Sequence, residues 1–216
     1  MPVDFYLGVL YPLQDRALAA LKGTPFYLTG GTALSRGYYH HRYSDDIDLF
    51  VNHLPGFPRD ADLAIDALRQ TFADLEVSLR EKNYVRLYVG GGRLKIELVN
   101  DVPSHVGTIV ELPVLGRVDS RENIFANKIS AMIDRSLPKD IADLYVLLQD
   151  GLNLKRALTD ASSKAAGITP LLLAKNFAEF DYTLLDREVR WITPHPGNEV
   201  RDYLHAVADS IVYGRL

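Results

Sequence analysis

Residues 27–51 read YLTGGTALSRGYYHHRYSDDIDLFV, and the rest of the chain takes its sense from them. A short apolar run, Phe26-Tyr27-Leu28, meets two glycines, and Thr32 opens a predicted helix, so the order is strand, tight turn, helix. Without a Cβ, Gly30 and Gly31 let the backbone come close to a ligand. Further on, Asp46-Ile47-Asp48-Leu49-Phe50-Val51 has the β-branched and aromatic content of a strand. Side chains alternate across a strand, so Asp46 and Asp48 share one face while Ile47, Leu49 and Val51 take the other.

Two carboxylates side by side repel each other, and a divalent cation between them relieves the repulsion. Magnesium takes hard oxygen ligands and keeps several waters, so one or two carboxylates plus substrate phosphates make a plausible shell. The phosphates would then lie between the metal and the glycine turn. A plainer reading treats Asp45, Asp46 and Asp48 as a solvated strand start and the glycines as an ordinary turn. Each piece alone is common; the ordered set is much less so.

Working outward, the chain has 216 residues, 47% of them apolar, enough for one large domain or two small ones with a real core. It contains no cysteine, which excludes disulfide scaffolds, thiolate nucleophiles and cysteine zinc sites. The N-terminal residues lack the pattern of a secretory signal, and no window reaches the ~18 apolar residues of a membrane span. A cytoplasmic protein is the expectation. Net charge is −4, with 12 basic and 14 acidic residues on each side of the bond after Val118, so no chain-wide basic field invites nucleic acid.

Residues 4–22 carry apolar positions at helical spacing, with Pro12 as a break or kink. In YYHHRY, residues 38–43, aromatics beside His and Arg could stack on bases and grip phosphate, or pack as a helix end; Arg42 and Ser44 are the better phosphate candidates. An amphipathic helix follows at 60–73, then strands at 76–82, 84–89 and 93–99, the last two joined as a hairpin by Gly90-Gly91-Gly92. Within the last strand Glu97 interrupts an apolar run. Beside Asp46 and Asp48 it would be a third carboxylate, a metal ligand or a base, and otherwise an exposed alternating position. Residues 108–118 add one or two short strands.

From Ser120 the pattern turns helical. Lys128 falls inside the apolar stripe of the first helix, where an ammonium reaching into a cleft suits a triphosphate and snorkelling is the alternative. Asp140 sits in the first turn of a helix beginning near Pro138, where the helix dipole alone would explain it. Asp143 is surrounded by apolar neighbours and needs a partner, either Lys128 or Lys139. The tail holds further helices, broken at 167–170 and 193–199.

Gly30-Gly31-Thr32 followed by Arg42, Ser44, Asp46 and Asp48 resembles the signature of polymerase-beta-type nucleotidyltransferases, in the branch containing the AbiEii/AbiGii abortive-infection toxins. The resemblance implies an α+β (α/β) fold: a mixed-sheet minimal nucleotidyltransferase core over 1–118 and a C-terminal helical domain over 119–216. It implies that Gly30, Gly31 and Thr32 contact nucleotide phosphates and that Asp46 and Asp48 hold Mg2+, with Mn2+ as the alternative. Lys128 would reach the triphosphate. The run Lys139, Asp140, Asp143, Leu144, Tyr145 matches the family's Lys/Arg-Asp-x-x-Asp-Leu-Tyr, with Asp140 the catalytic member and Asp143 beside the nucleotide. Glu97 stands where many relatives have aspartate.

The implied activity moves a nucleotide from a nucleoside triphosphate to an acceptor hydroxyl, with pyrophosphate leaving. A toxin acting on RNA such as tRNA, restrained by an antitoxin, is the leading expectation. A protein or an aminoglycoside-like small molecule is the alternative acceptor, and a non-catalytic binding module on the same fold is a third reading.

Overall fold

In the computed structural model, which describes residues 3–215, the chain divides into two units. One comprises the described residues up to Tyr38 together with Ser44–Asp119; the other takes Tyr39–Tyr43 and the residues from Ser120 onward. Set against the boundary at 118/119 expected from the sequence, the short segment 39–43 goes with the later unit. The reason is backbone pairing: Arg42 bridges Trp191, Tyr43 N donates to the Arg190 carbonyl at 2.8 Å, and Ile192 N donates to the His41 carbonyl at 2.9 Å.

The first unit is built on a mixed sheet of seven strands among the described residues, in the order β3-β4-β5-β2-β1-β7-β6. The strands are β1 Tyr27–Thr29, β2 Ile47–Asn52, β3 Glu76–Glu81, β4 Tyr84–Val89, β5 Leu94–Asp101, β6 Val110–Leu112 and β7 Gly116–Val118. β2 lies centrally, antiparallel to β1 and parallel to β5, while β4 joins β5 through the glycine hairpin. Alternation is clean on β2: Ile47, Leu49 and Val51 are buried, and Asp48, Phe50 and Asn52 are half-buried on the other face.

Helical segments accompany the sheet. Residues 3–20 form one run, α1 Val3–Phe5, a π-helical stretch Tyr6–Leu10 and α2 Tyr11–Ala20. Pro12 falls in the first turn of α2, where its missing N–H costs little, so the expected break is only a change of helical pitch. Across the turn, α3 Gly30–Thr32 runs into a second π-helical stretch, Ala33–Tyr39. The amphipathic helix α4 spans Phe57–Thr71 and buries Phe57, Ala61, Ala64, Ile65 and Leu68. Gln14, fully buried on α2, donates to the Ser44 carbonyl at 3.0 Å and accepts from Arg36, fastening the segment that leads into β2.

The second unit is helical: α5 Arg121–Arg135, α6 Pro138–Gln149, α7 Leu154–Lys164, α8 Pro170–Glu179, α9 Thr183–Glu188 and α10 Gly197–Val212. α5 packs against α6, α7 and α8, and α10 against α8 and α9. Among the described residues no helix is long and apolar enough to cross a membrane.

Ser120 caps α5, its hydroxyl accepting from Asn123 N at 3.1 Å. Ser120→Ala is expected to lower unfolding stability by about 1 kcal/mol, measured by urea denaturation.

Candidate active site

The parallel register of β2 and β5 sets Asp48 opposite Glu97 and Ile47 opposite Ile96. Glu97 and Lys95 are two apart on β5, so both lie on the face that carries Asp48. Asp46, one step ahead of β2, meets that same row: the Lys95 ammonium stands 3.0 Å from its Oδ2 and 3.3 Å from Glu97 Oε2. On the far side of Glu97, Arg86 Nε donates to Oε1 at 3.0 Å, and the Tyr84 hydroxyl donates to the same oxygen. Burial works to raise the Glu97 carboxyl, but the Tyr84 hydroxyl, Lys95 and Arg86 outweigh it and hold the group below the usual carboxylate range. Glu97 is therefore an ionised group at neutral pH and a weak proton acceptor.

The glycine turn lies against this face. Gly30 has φ +69°, and a Cβ placed there would come 2.5 Å from Asp48 Oδ2, so only glycine lets the backbone approach the carboxylate. Thr29, on β1, is the register partner of Asp48. Thr32 is 1% exposed; its hydroxyl donates to the Asp46 carbonyl and lies 2.9 Å from the Ser44 hydroxyl. Thr32 and Ser44, both expected at phosphate, thus tie the turn to the start of β2. Gly31 is buried beside them. Asp45 accepts from the Tyr6 hydroxyl at 2.7 Å.

In the second unit a different cluster forms. Asp143 is fully buried and accepts from Arg42 Nε and Nη2, both at 2.8 Å, while Lys128 Nζ lies 2.6 Å from it and His41 Nε2 2.8 Å. Lys128 also donates to Asp140 at 2.8 Å, and Asp140 accepts from Arg135 at 3.0 Å. Of the two partners proposed by sequence for Asp143, Lys128 is the one found. Burial opposes every charge here; the Arg42 and Lys128 cations nevertheless hold Asp143 well below the usual range, and the two aspartates hold Lys128 above its own. Burial also pushes His41 down. A neutral His41 that donates from Nε2 leaves Nδ1 as an acceptor, and that atom is buried without a partner among the described residues. Arg42, expected at phosphate, has its guanidinium in this ion pair, and Asp140 has both oxygens engaged.

Lys95, Arg86 and Tyr84 were not singled out from sequence. The signal was present: Lys95 stands two residues before Glu97 on the same strand face, and pairing β4 to β5 puts Arg86 opposite Glu97. Among the described residues no three His, Cys, Asp or Glu side chains converge into a closed metal cage. Asp46 and Asp48 instead offer hard oxygens on one open face, a donor set that suits a cation retaining waters and substrate oxygens. The ammonium of Lys95, seated between Asp46 and Glu97, and the Arg86 guanidinium on Glu97 are cations already at these carboxylates.

The chain is similar to known proteins in its sequence profile and in its fold. The profile of the family described as "Nucleotidyl transferase AbiEii toxin, Type IV TA system" matches residues 13–191. No curated protein matches the sequence. JHP933 from Helicobacter pylori is similar in structure, with TM-score 0.62 and 20% identity over 99% of this chain and 94% of that one. MenT4, a nucleotidyltransferase toxin from Mycobacterium tuberculosis, has TM-score 0.64 and 14% identity, covering 96% and 84% of the two chains. ANT(2'')-Ia, in complex with adenylyl-2''-tobramycin, has TM-score 0.52 and 19% identity, covering 70% of this chain and 94% of its own. At these identities the likenesses concern the fold, and the mixed seven-strand sheet with its helices is the fold they share.

Removing Asp143 takes the carboxylate from buried Arg42 and leaves Lys128 with Asp140 alone, so Asp143→Ala is expected to cost about 3–5 kcal/mol in urea denaturation. The folded carboxyl is depressed, so its contribution is complete above the unfolded value of about 4 and is lost as pH falls below it. The gap between wild type and Asp143→Asn should therefore narrow in acid. Gly30→Ala, strained by φ and pressed on Asp48, should fold with lower stability.

Proposed function

Because the chain belongs to the AbiEii nucleotidyltransferase toxin family, we propose that its carboxylate face transfers a nucleoside monophosphate from a nucleoside triphosphate to an acceptor hydroxyl, most readily on RNA such as tRNA. The chain is a nucleotidyltransferase. That sets aside the reading as a non-catalytic module, and the family implies a nucleotide substrate and an antitoxin partner. The observation that carries the assignment to this face is the meeting of Asp48 and Glu97, paired across β2 and β5, with the Gly30 turn.

In the proposed reaction the acceptor hydroxyl gives up its proton to water as its oxygen bonds to the α-phosphorus, the bond from that phosphorus to the bridging oxygen breaks, and pyrophosphate departs. Asp46 and Asp48 are the residues that would hold a divalent cation, Mg2+ or Mn2+, which when bound draws charge from the α-phosphate. Backbone at Gly30 and Gly31 lets the phosphates come near the carboxylates. Glu97, kept ionised by its neighbours, aligns the attacking hydroxyl by accepting its hydrogen bond. The family resemblance gives Lys128 to the triphosphate and Asp140 to the catalytic set; the two carboxylate partners of Lys128 take two of its three N–H donors.

RNA as acceptor comes from the toxin family, because the even charge of the chain supplies no broad basic surface. ANT(2'')-Ia, bound to an adenylylated aminoglycoside, keeps a small-molecule acceptor as the second reading. The family, and the absence of a membrane-spanning helix among the described residues, fit action in the cytoplasm.

Incubating the protein with each α-labelled triphosphate, Mg2+ and total lysate should place label in RNase-sensitive material. Protease-sensitive or small-molecule label would redirect the acceptor. Asp48→Asn is expected to keep the fold by circular dichroism while losing roughly a thousandfold in transfer rate. Transfer that persists at the wild-type rate would move the chemistry elsewhere.

A further inference from the structure

Lys95 stands on the carboxylate face that the proposed function uses, yet neither that reading nor the family signature gives it a task. The β2–β5 ladder explains its position. Continuing the pairing Ile47–Ile96 one step back brings Asp46 beside Lys95, just as the step forward brings Asp48 beside Glu97. The ammonium touches Asp46 Oδ2 at 3.0 Å and Glu97 Oε2 at 3.3 Å, and its side chain is 25% exposed, accessible enough to leave. Without it, Asp46, Asp48 and Glu97 would set three carboxylates along one edge with one cation fewer among them, Arg86 remaining at Glu97. An ammonium and a dication drawn to one carboxylate also repel each other.

We propose that Lys95 is a built-in counter-cation: it clamps Asp46 to Glu97 in the metal-free protein, competes with the divalent cation for Asp46, and is released as that cation binds. The proposal rests on the assignment of Asp46 and Asp48 as metal-holding residues. Displacement leaves a free ammonium on the face where the triphosphate arrives, so cation uptake and the gain of a phosphate-binding charge become a single event. It also keeps the acids apart from stray cations until the pair of metal and nucleotide is present. Lys95 acts through Asp46 and is a positioning residue rather than a catalytic one.

The test is Mn2+ binding to the full chain without nucleotide, followed by electron paramagnetic resonance of the free ion, for wild type, Lys95→Met, Lys95→Gln, Lys95→Arg and Asp48→Asn. The neutral variants should bind Mn2+ about fivefold to tenfold more tightly than wild type, and Lys95→Arg should stay near wild type. Their melting temperatures should also rise more than that of wild type when Mn2+ is added. Equal or weaker binding by both neutral variants, with wild-type binding intact and lost in Asp48→Asn, overturns the role of Lys95 and leaves the metal assignment standing. If no variant binds Mn2+, or Asp48→Asn binds as wild type does, the metal assignment itself fails and this role falls with it. Having two neutral variants guards against one that does not fold.

Discussion

The parallel pairing of β2 with β5 is the constraint on which the carboxylate face depends. Parallel neighbours run in step, so acidic side chains at matching positions cannot be turned away from each other without turning Ile47, Leu49, Ile96 and Leu98 out of the core. Burial of those four apolar side chains is worth several kcal/mol, about 1.5–3 for each. It is what forces Asp48 against Glu97. The repulsion is then met locally, by Lys95 and Arg86 and by the Tyr84 hydroxyl, which burial and the Glu97 carboxylate push up to about 12.

The helical unit solves a related problem by other means. Lys128, Arg42, Asp140 and Asp143 are all almost fully withdrawn from water, and their charges balance two against two. Buried ions are tolerated when each has a partner and its remaining donors or acceptors are filled, and the forked contact of Arg42 with Asp143 meets both demands. His41 closes the set as a neutral donor. A family signature spread over residues 42, 128, 140 and 143 thus corresponds, within this unit, to one physical object.

Much of this was legible in the sequence. Period-two alternation located β2, β4 and β5, and the run of glycine, threonine and spaced aspartates gave the turn and its acids. The start of helix at Ser120 and the misplaced charges Lys128 and Asp143 were visible because each breaks a pattern. Less visible were the partners of Glu97. Lys95 and Arg86 look like ordinary solvated positions on alternating strands, and only strand order and register reveal that they converge. Thr32 reads as a phosphate contact by the family resemblance and Ser44 by its place just before the aspartates; their bonds to each other and to the Asp46 carbonyl follow from the turn closing on β2. The π-helical pitch at Tyr6–Leu10 and Ala33–Tyr39 has no sequence signal that we recognise.

The segment Tyr39–Tyr43 lies in the sequence between β1 and β2 of the first unit, but its backbone pairs with residues 190–192 and its Arg42 and His41 complete the shell around Asp143. No single cut therefore divides the chain into two whole pieces. A fragment starting at Ser120 would carry Asp143 and Lys128 stripped of two of their companions, while one ending at Asp119 would carry those companions with nothing to hold. Any dissection of this protein by truncation would report the damage of the cut rather than the properties of the parts, and separating them cleanly calls for a rejoined chain in which the crossing segment is supplied anew.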